Sequence, residues 1–227
     1  MRRLALVIWT GLAVTGGTLG AGNIEGTIRV TRRLTRQRVT PVVPAYHRGV
    51  VAPAEQPSAG WDREELDRVA VYLESSAELP STPVIAQLEQ RGRRFLSHTL
   101  VVPAGSTVSF PNRDPIFHNV FSLSRAKSFD LGNYRQNETR SVVFTKAGVV
   151  QVYCHLHPNM AASIVVTPNK WAAKPSPAGA FVLEAVPPGR HAVVVWHPSA
   201  GSFRKNVQVG GGAVQLDFEI PVDERQP

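Results

Sequence analysis

Sulfur is scarce in this chain, with one cysteine and two methionines, one of them the initiator, among 227 residues. A single cysteine excludes an intramolecular disulfide framework and any zinc cage built on cysteine pairs. Helical periodicity is almost absent, and the only helix candidates are short: Asp62 to Val69, and Val84 to Arg91. Acidic residues are outnumbered 17 to 25 by Lys and Arg, giving a formal net charge of +8. That balance suggests acidic partners or surfaces without saying which. With 43% apolar and 19% charged residues, the composition suits a globular protein and excludes a collagen, a coiled coil or a largely disordered chain.

The first residues read as an export signal. Arg2 and Arg3 precede the apolar run Leu4 to Trp9, which continues through Gly- and Thr-diluted sequence to the small-residue exit Leu19-Gly20-Ala21-Gly22. This is the layout of a secretory signal peptide over residues 1–22, with cleavage after Ala21 or Gly22. The competing reading is an uncleaved anchor, but the strongly apolar part is too short and too rich in glycine for a convincing membrane span. Export predicts a periplasmic protein with no stable membrane insertion after cleavage. In an oxidising compartment a lone thiol is exposed to oxidation unless buried or bound to metal, which directs attention to Cys154.

Beyond the signal, short runs of Val, Ile, Thr and Phe are punctuated by Gly, Pro and Asn, the pattern of an all-β sandwich or barrel. Three blocks are legible. The first, 23–82, holds two strand candidates, Ile24 to Val30 and Val69 to Leu73. Between them runs a basic loop with Arg32, Arg33, Arg36 and Arg38. No aromatic interleaving or recognised motif accompanies these arginines, so a solvated loop is expected and no nucleic-acid partner. The second block, 83–168, twice repeats strand, turn, strand: Leu100 to Val102 with Ser106 to Phe110, and Ser141 to Phe144 with Val149 to Cys154. Alternation along the last strand places Val150, Val152 and Cys154 on one face. The third block, 169–222, has strands at Phe181 to Val186, Arg190 to Trp196, Arg204 to Val209 and Ala213 to Ile220. Residues 223–227 form a tail.

The densest chemical signal is Tyr153-Cys154-His155-Leu156-His157-Pro158-Asn159-Met160. A thiolate, an imidazole and a thioether fall within one loop after a strand. Upstream stands Pro115-Ile116-Phe117-His118-Asn119-Val120. One soft sulfur, two imidazoles and a weak fourth thioether form the ligand set of a blue-copper electron-transfer site. The bland reading of Cys154 is an inert core cysteine, and of Met160 a core methionine. Their spacing from His157, and the second histidine motif, favour metal binding. His98, on the strand before the Gly105 turn, reads as structural, and His47, His191 and His197 have no convergent partners in the sequence and read as packed or surface imidazoles.

The second block resembles a cupredoxin, one of the plastocyanin, azurin and amicyanin group of eight-stranded Greek-key β-sandwiches. Cys154, His157, Pro158 and Met160 match the short amicyanin C-x-x-H-P-x-M loop, and His118-Asn119 matches the first-histidine motif. The resemblance implies one type 1 copper, cycling between Cu(I) and Cu(II), with His118, Cys154 and His157 as equatorial ligands and Met160 axial. Asn119 would hold the ligand loop closed near Cys154, and the outward edge of His157 would be the electron portal. Pro115, Ile116, Phe117, Pro158 and Ala161 are candidates for an apolar rim around it. Two departures stand out: Ala162 replaces a common glycine, and His155 occupies a position often held by Ser or Thr. Alternation turns His155 outward from the Cys154 face.

The third block resembles a carboxypeptidase-regulatory-like domain, an immunoglobulin-like sandwich, through Val186-Pro187-Pro188-Gly189 and the strands around it. Ile24-Glu25-Gly26-Thr27-Ile28 resembles the opening strand of such domains. The expected fold is therefore a cupredoxin domain, 83–168, inserted in a discontinuous sandwich of 23–82 plus 169–222, or else flanked by a C-terminal sandwich. The whole layout resembles methylamine-utilisation proteins. Expected is a periplasmic one-electron carrier, not an enzyme, working between a donor and an acceptor redox protein, at least one of them acidic. The alternative is a copper chaperone or store without redox cycling. A thiol hydrolase leaves Met160 and His118 unexplained, a multicopper oxidase needs further histidine clusters, and methionine is a poor zinc ligand.

Overall fold

A computed structural model describes residues 20–31, 33–34, 60–74 and 80–220. The segment expected to be an export signal, as far as residue 19, most of the basic loop including Arg32, Arg36, Arg38 and His47, and the tail 223–227 lie outside the described residues. No helix among the described residues is long and apolar enough to cross a membrane.

The strands are β1 (Gly22–Val30), β2 (Ala70–Glu74), β3 (Ile85–Gln87), β4 (Thr99–Pro103), β5 (Ser106–Pro111), β6 (His118–Ser124), β7 (Lys127–Tyr134) and β8 (Thr139–Phe144). They continue as β9 (Gly148–Tyr153), β10 (Ala161–Thr167), β11 (Ala172–Ala173), β12 (Ala180–Val186), β13 (Gly189–His197), β14 (Gly201–Val209), β15 (Val214–Gln215) and β16 (Phe218–Ile220). One short helix, α1 (Trp61–Leu66), precedes β2.

Strands β3 to β10 form a two-sheet sandwich. A five-stranded sheet in the order β4-β10-β9-β6-β7 packs on a three-stranded sheet, β3-β5-β8. The chain passes between the sheets at β3–β4, β4–β5, β5–β6, β7–β8 and β8–β9, and the parallel pairs β3–β5 and β4–β10 close the Greek-key arrangement. Inward side chains of both sheets, among them Val108, Phe110, Phe144, Val150, Val152 and Ile164, share one core. Alternation along β9 is as the sequence implies: Val150, Val152 and Cys154 are buried, while Tyr153 between them is exposed.

The flanking segments build a second core from two further sheets, β12-β1-β15 with β16 beside β1, and β11-β2-β13-β14. β1 pairs antiparallel with β12 and β2 with β13, so segments on either side of β3–β10 hydrogen-bond to one another. β10 is buried along nearly its whole length, like a strand covered on both faces. Ile164 and Val166 point into the central core, while Val165 packs on Ala70 and Trp196 of the outer sandwich.

Three sequence expectations fail locally. Val84 to Arg91 is not helical: Ile85–Gln87 is a strand paired with β5, and Leu88 and Gln90 extend the ladder through bonds to the Ser109 and Pro111 carbonyls at 2.9 and 3.0 Å. A long-range sheet edge overrides a weak local preference. The run Ala213 to Ile220 is broken, because Asp217 turns its carboxylate onto the Thr27 amide and hydroxyl, both at 2.8 Å. β15 and β16 therefore pair with β1 separately. The helix expected from Asp62 to Val69 ends at Leu66, where the Arg68 and Val69 amides bond the Glu65 and Leu66 carbonyls in a tight turn.

Candidate metal centre

The centre lies at one end of the central sandwich. His118 opens β6, and Cys154 follows the last residue of β9, the strand beside it. Tyr153 and Ala161 face each other across the β9–β10 ladder, so residues 154–160 form the loop of a hairpin. Three backbone bonds tighten that loop: His157 N–H to the Cys154 carbonyl, Met160 N–H to the His157 carbonyl, and Cys154 N–H to the Met160 carbonyl, at 3.4, 2.9 and 3.2 Å. A hairpin loop so short forces its side chains to converge on the end of β6.

His118, Cys154 and His157 meet with ligand atoms within 4.8 Å of one another. Cys154 Sγ is 3.9 Å from His118 Nδ1 and 3.7 Å from His157 Nδ1. His118, Cys154 and Met160 are buried, and Met160 belongs to the same core cluster as Cys154. His157 is half-buried, with exposed Leu156 and Pro158 beside it in the loop. Burial, followed by electrostatic contributions from His118 and Arg93, lowers the His157 pKa, with Asp114 opposing. A neutral imidazole is the form that binds metal.

His118 Nε2 contacts Asp114 Oδ2 at 2.8 Å, which leaves Nδ1 to face the thiol. A carboxylate behind a histidine fixes its tautomer and ring plane and raises its basicity as a ligand. Asp114 also accepts the Gly92 and Arg93 amides at 2.7 and 2.8 Å. Burial raises its pKa, but these amides and His118 outweigh burial and hold it below the ordinary carboxylate value. Sequence reading missed Asp114, although an acid four residues before His118 was a usable signal.

Asn119 donates its backbone N–H to Cys154 Sγ at 3.5 Å, and its Oδ1 accepts the His155 amide at 3.4 Å. Its Nδ2 is held by Asp130 at 2.6 Å. The side chain thus ties β6 to the ligand loop. His155 turns outward, stacked on Phe121 at 3.7 Å between ring centres and 3.6 Å from Asp130. Ala162 lies buried in β10 opposite Val152. Of the other histidines, His197 is fully buried and bonded to Glu65 Oε2 at 3.0 Å, a structural pair. His98 lies beside Arg68, and His191 bonds the Pro187 carbonyl.

A two-sheet Greek-key sandwich of eight strands, with a Cys-His-His cluster at the end of β6 and in the β9–β10 loop, has the architecture of a cupredoxin. Solved structures are similar to part of the chain. A purple cupredoxin from Nitrosopumilus maritimus is 26% identical, with a TM-score of 0.33, over 36% of this chain and 99% of that one. A reduced Cu(I) form of an amicyanin variant is 22% identical, with a TM-score of 0.34, over 42% of this chain and 97% of that one. A copper-containing nitrite reductase from Thermus scotoductus is 26% identical, with a TM-score of 0.33, over 42% of this chain but 25% of its own. No family model and no curated protein matches the chain.

Proposed function

We propose that this chain is an exported type 1 copper protein that carries single electrons between redox proteins in the periplasm. The observation that carries this reading is the convergence of Cys154 Sγ with the Nδ1 atoms of His118 and His157. The donor set fits copper: thiolate and thioether suit Cu(I), imidazole suits both oxidation states, and a mixed set lets the ion cycle with little rearrangement. His118, Cys154 and His157 would be the strong ligands and Met160 a weak fourth. When bound, the ion supplies a one-electron couple, and the chain itself turns over no substrate.

The protein's part is to hold that donor set still and dry. Asp114 fixes His118 from behind, Asn119 locks the Cys154 loop to β6, and the core side of the site excludes water. His157 is the ligand with a solvent-facing edge, and the exposed Ile116, Phe117 and Leu156 give an apolar rim for transient contact. Brief redox encounters need only a small interface. The excess of basic residues favours an acidic partner. Reconstitution with one copper followed by voltammetry tests the reading. A reversible one-electron couple is expected, whereas tight Cu(I) binding without a reversible couple would make the chain a chaperone or store.

A further inference from the structure

Between β3 and β4 lies Arg91-Gly92-Arg93-Arg94, all four residues exposed. Gly92 and Arg93 are both left-handed, at φ 63° and 56°. For arginine that conformation is costly unless a contact compensates. Asp114 supplies the contact through the two amide bonds described above, while its Oδ2 holds His118. A single carboxylate thus fixes a basic loop and a candidate metal ligand to one another.

Arg91 and Arg94 line a cleft of about 460 Å³ whose opposite wall is α1 and the turn after it, in the outer sandwich, contributing Arg63, Glu64 and Asp67. The acidic groups of that wall are already engaged. Asp67 accepts Lys174 Nζ at 2.6 Å and the His98 amide at 3.1 Å, and Glu64 pairs with Arg33 at 3.4 Å. Arg91 pairs with Glu89 at 2.9 Å. Arg63 and Arg94 have no ion-pair partner among the described residues. Exposed Leu96 borders the same cleft. Arg93, from the same loop, is tied to the candidate metal centre through Asp114, which holds both its amide and His118.

We propose that this cleft receives an acidic segment of the redox partner, whose carboxylates enter between Arg63 and Arg94 and orient the partner over the His157 edge. The inference rests on the electron-carrier reading and names the chemistry of the carrier's partner. It also gives the outer sandwich a task, since Arg63 comes from α1 and the central sandwich alone forms one wall. Charge complementarity of this kind steers encounter and selects partners more than it adds raw affinity.

Titration of the metal-free full chain with hexaglutamate, followed by amide NMR, tests the site at ~10 mM salt, where the Debye length is about 30 Å. Saturable shifts are expected in α1 and at residues 91–96. Arg63→Gln combined with Arg94→Gln should weaken binding about fivefold, from the typical worth of two exposed ion pairs. Arg190→Gln combined with Lys146→Gln removes the same charge from exposed positions outside the cleft and should leave binding unchanged. Shifts scattered over the surface, or equal weakening by both double variants, would overturn the docking site. Because this binding is read without copper, such a failure leaves the carrier reading standing. An irreversible copper couple would overturn that reading instead.

Discussion

Asp114 Oδ2 lies 2.8 Å from His118 Nε2, so the ring presents Nδ1 to Cys154. Removing that carboxylate frees the imidazole to rotate or change tautomer, and releases the Gly92–Arg93 loop. Carboxylates that support a metal-binding histidine typically contribute about 10–100-fold in metal affinity. Asp114→Ala should therefore weaken copper binding by about 10–100-fold in competition with a Cu(I) chelator. An unchanged affinity would mean that the sandwich positions His118 without Asp114.

Met160 is buried at the end of the ligand loop and bonded through its backbone to His157 and Cys154. A weak axial thioether tunes the potential more than it holds the ion. Met160→Gln should keep the copper and its visible band but lower the midpoint potential measured by voltammetry. A potential equal to wild type would remove Met160 from the site.

His98 is half-buried, with Nε2 3.4 Å from Arg68 Nη2. Burial first, then Arg68 and in smaller part Lys174, hold its pKa below the ordinary 6.5, against Asp67 and Glu64. The unfolded chain then binds this proton more readily than the folded one, so stability rises with pH across this window. The contribution is present above about pH 6.5 and is lost as pH falls through the lower folded value. Thermal melts between about pH 7 and pH 5 should show a shallower loss in His98→Gln than in wild type; equal slopes would contradict this.

Gly179 turns the chain into β12 at φ +85°, and a Cβ there would lie 2.2 Å from the Ile28 carbonyl oxygen of β1. The Ile28 amide in turn donates to the Gly179 carbonyl at 2.8 Å. Gly179→Ala combines an unfavourable backbone conformation with a backbone clash. It should destabilise the outer sandwich by about 1–3 kcal/mol in chemical denaturation. A wild-type midpoint would show that β1 and β12 do not meet as described.

The sequence made the strands legible where apolar alternation runs between strong turn residues, as in β5, β8, β9, β12 and β13. The convergence of His118, Cys154 and His157 was legible because two of them lie in one loop with ligand spacing and the third has its own motif. What escaped depends on contacts distant in sequence. β3 looks helical until β5 lies beside it, and β15 and β16 look continuous until Asp217 bonds Thr27. His197 lacked any visible partner because Glu65 is 132 positions away. The cleft was invisible for the same reason, since Arg63 and Arg94 belong to different sandwiches.

The most direct measurement is the visible spectrum of the chain with one equivalent of Cu(II), taken beside Cys154→Ser. An intense thiolate-to-copper charge-transfer band in the wild type and none in the variant is the predicted result. A colourless wild-type adduct, or a band that survives loss of the thiol, would contradict a blue-copper centre at His118, Cys154 and His157.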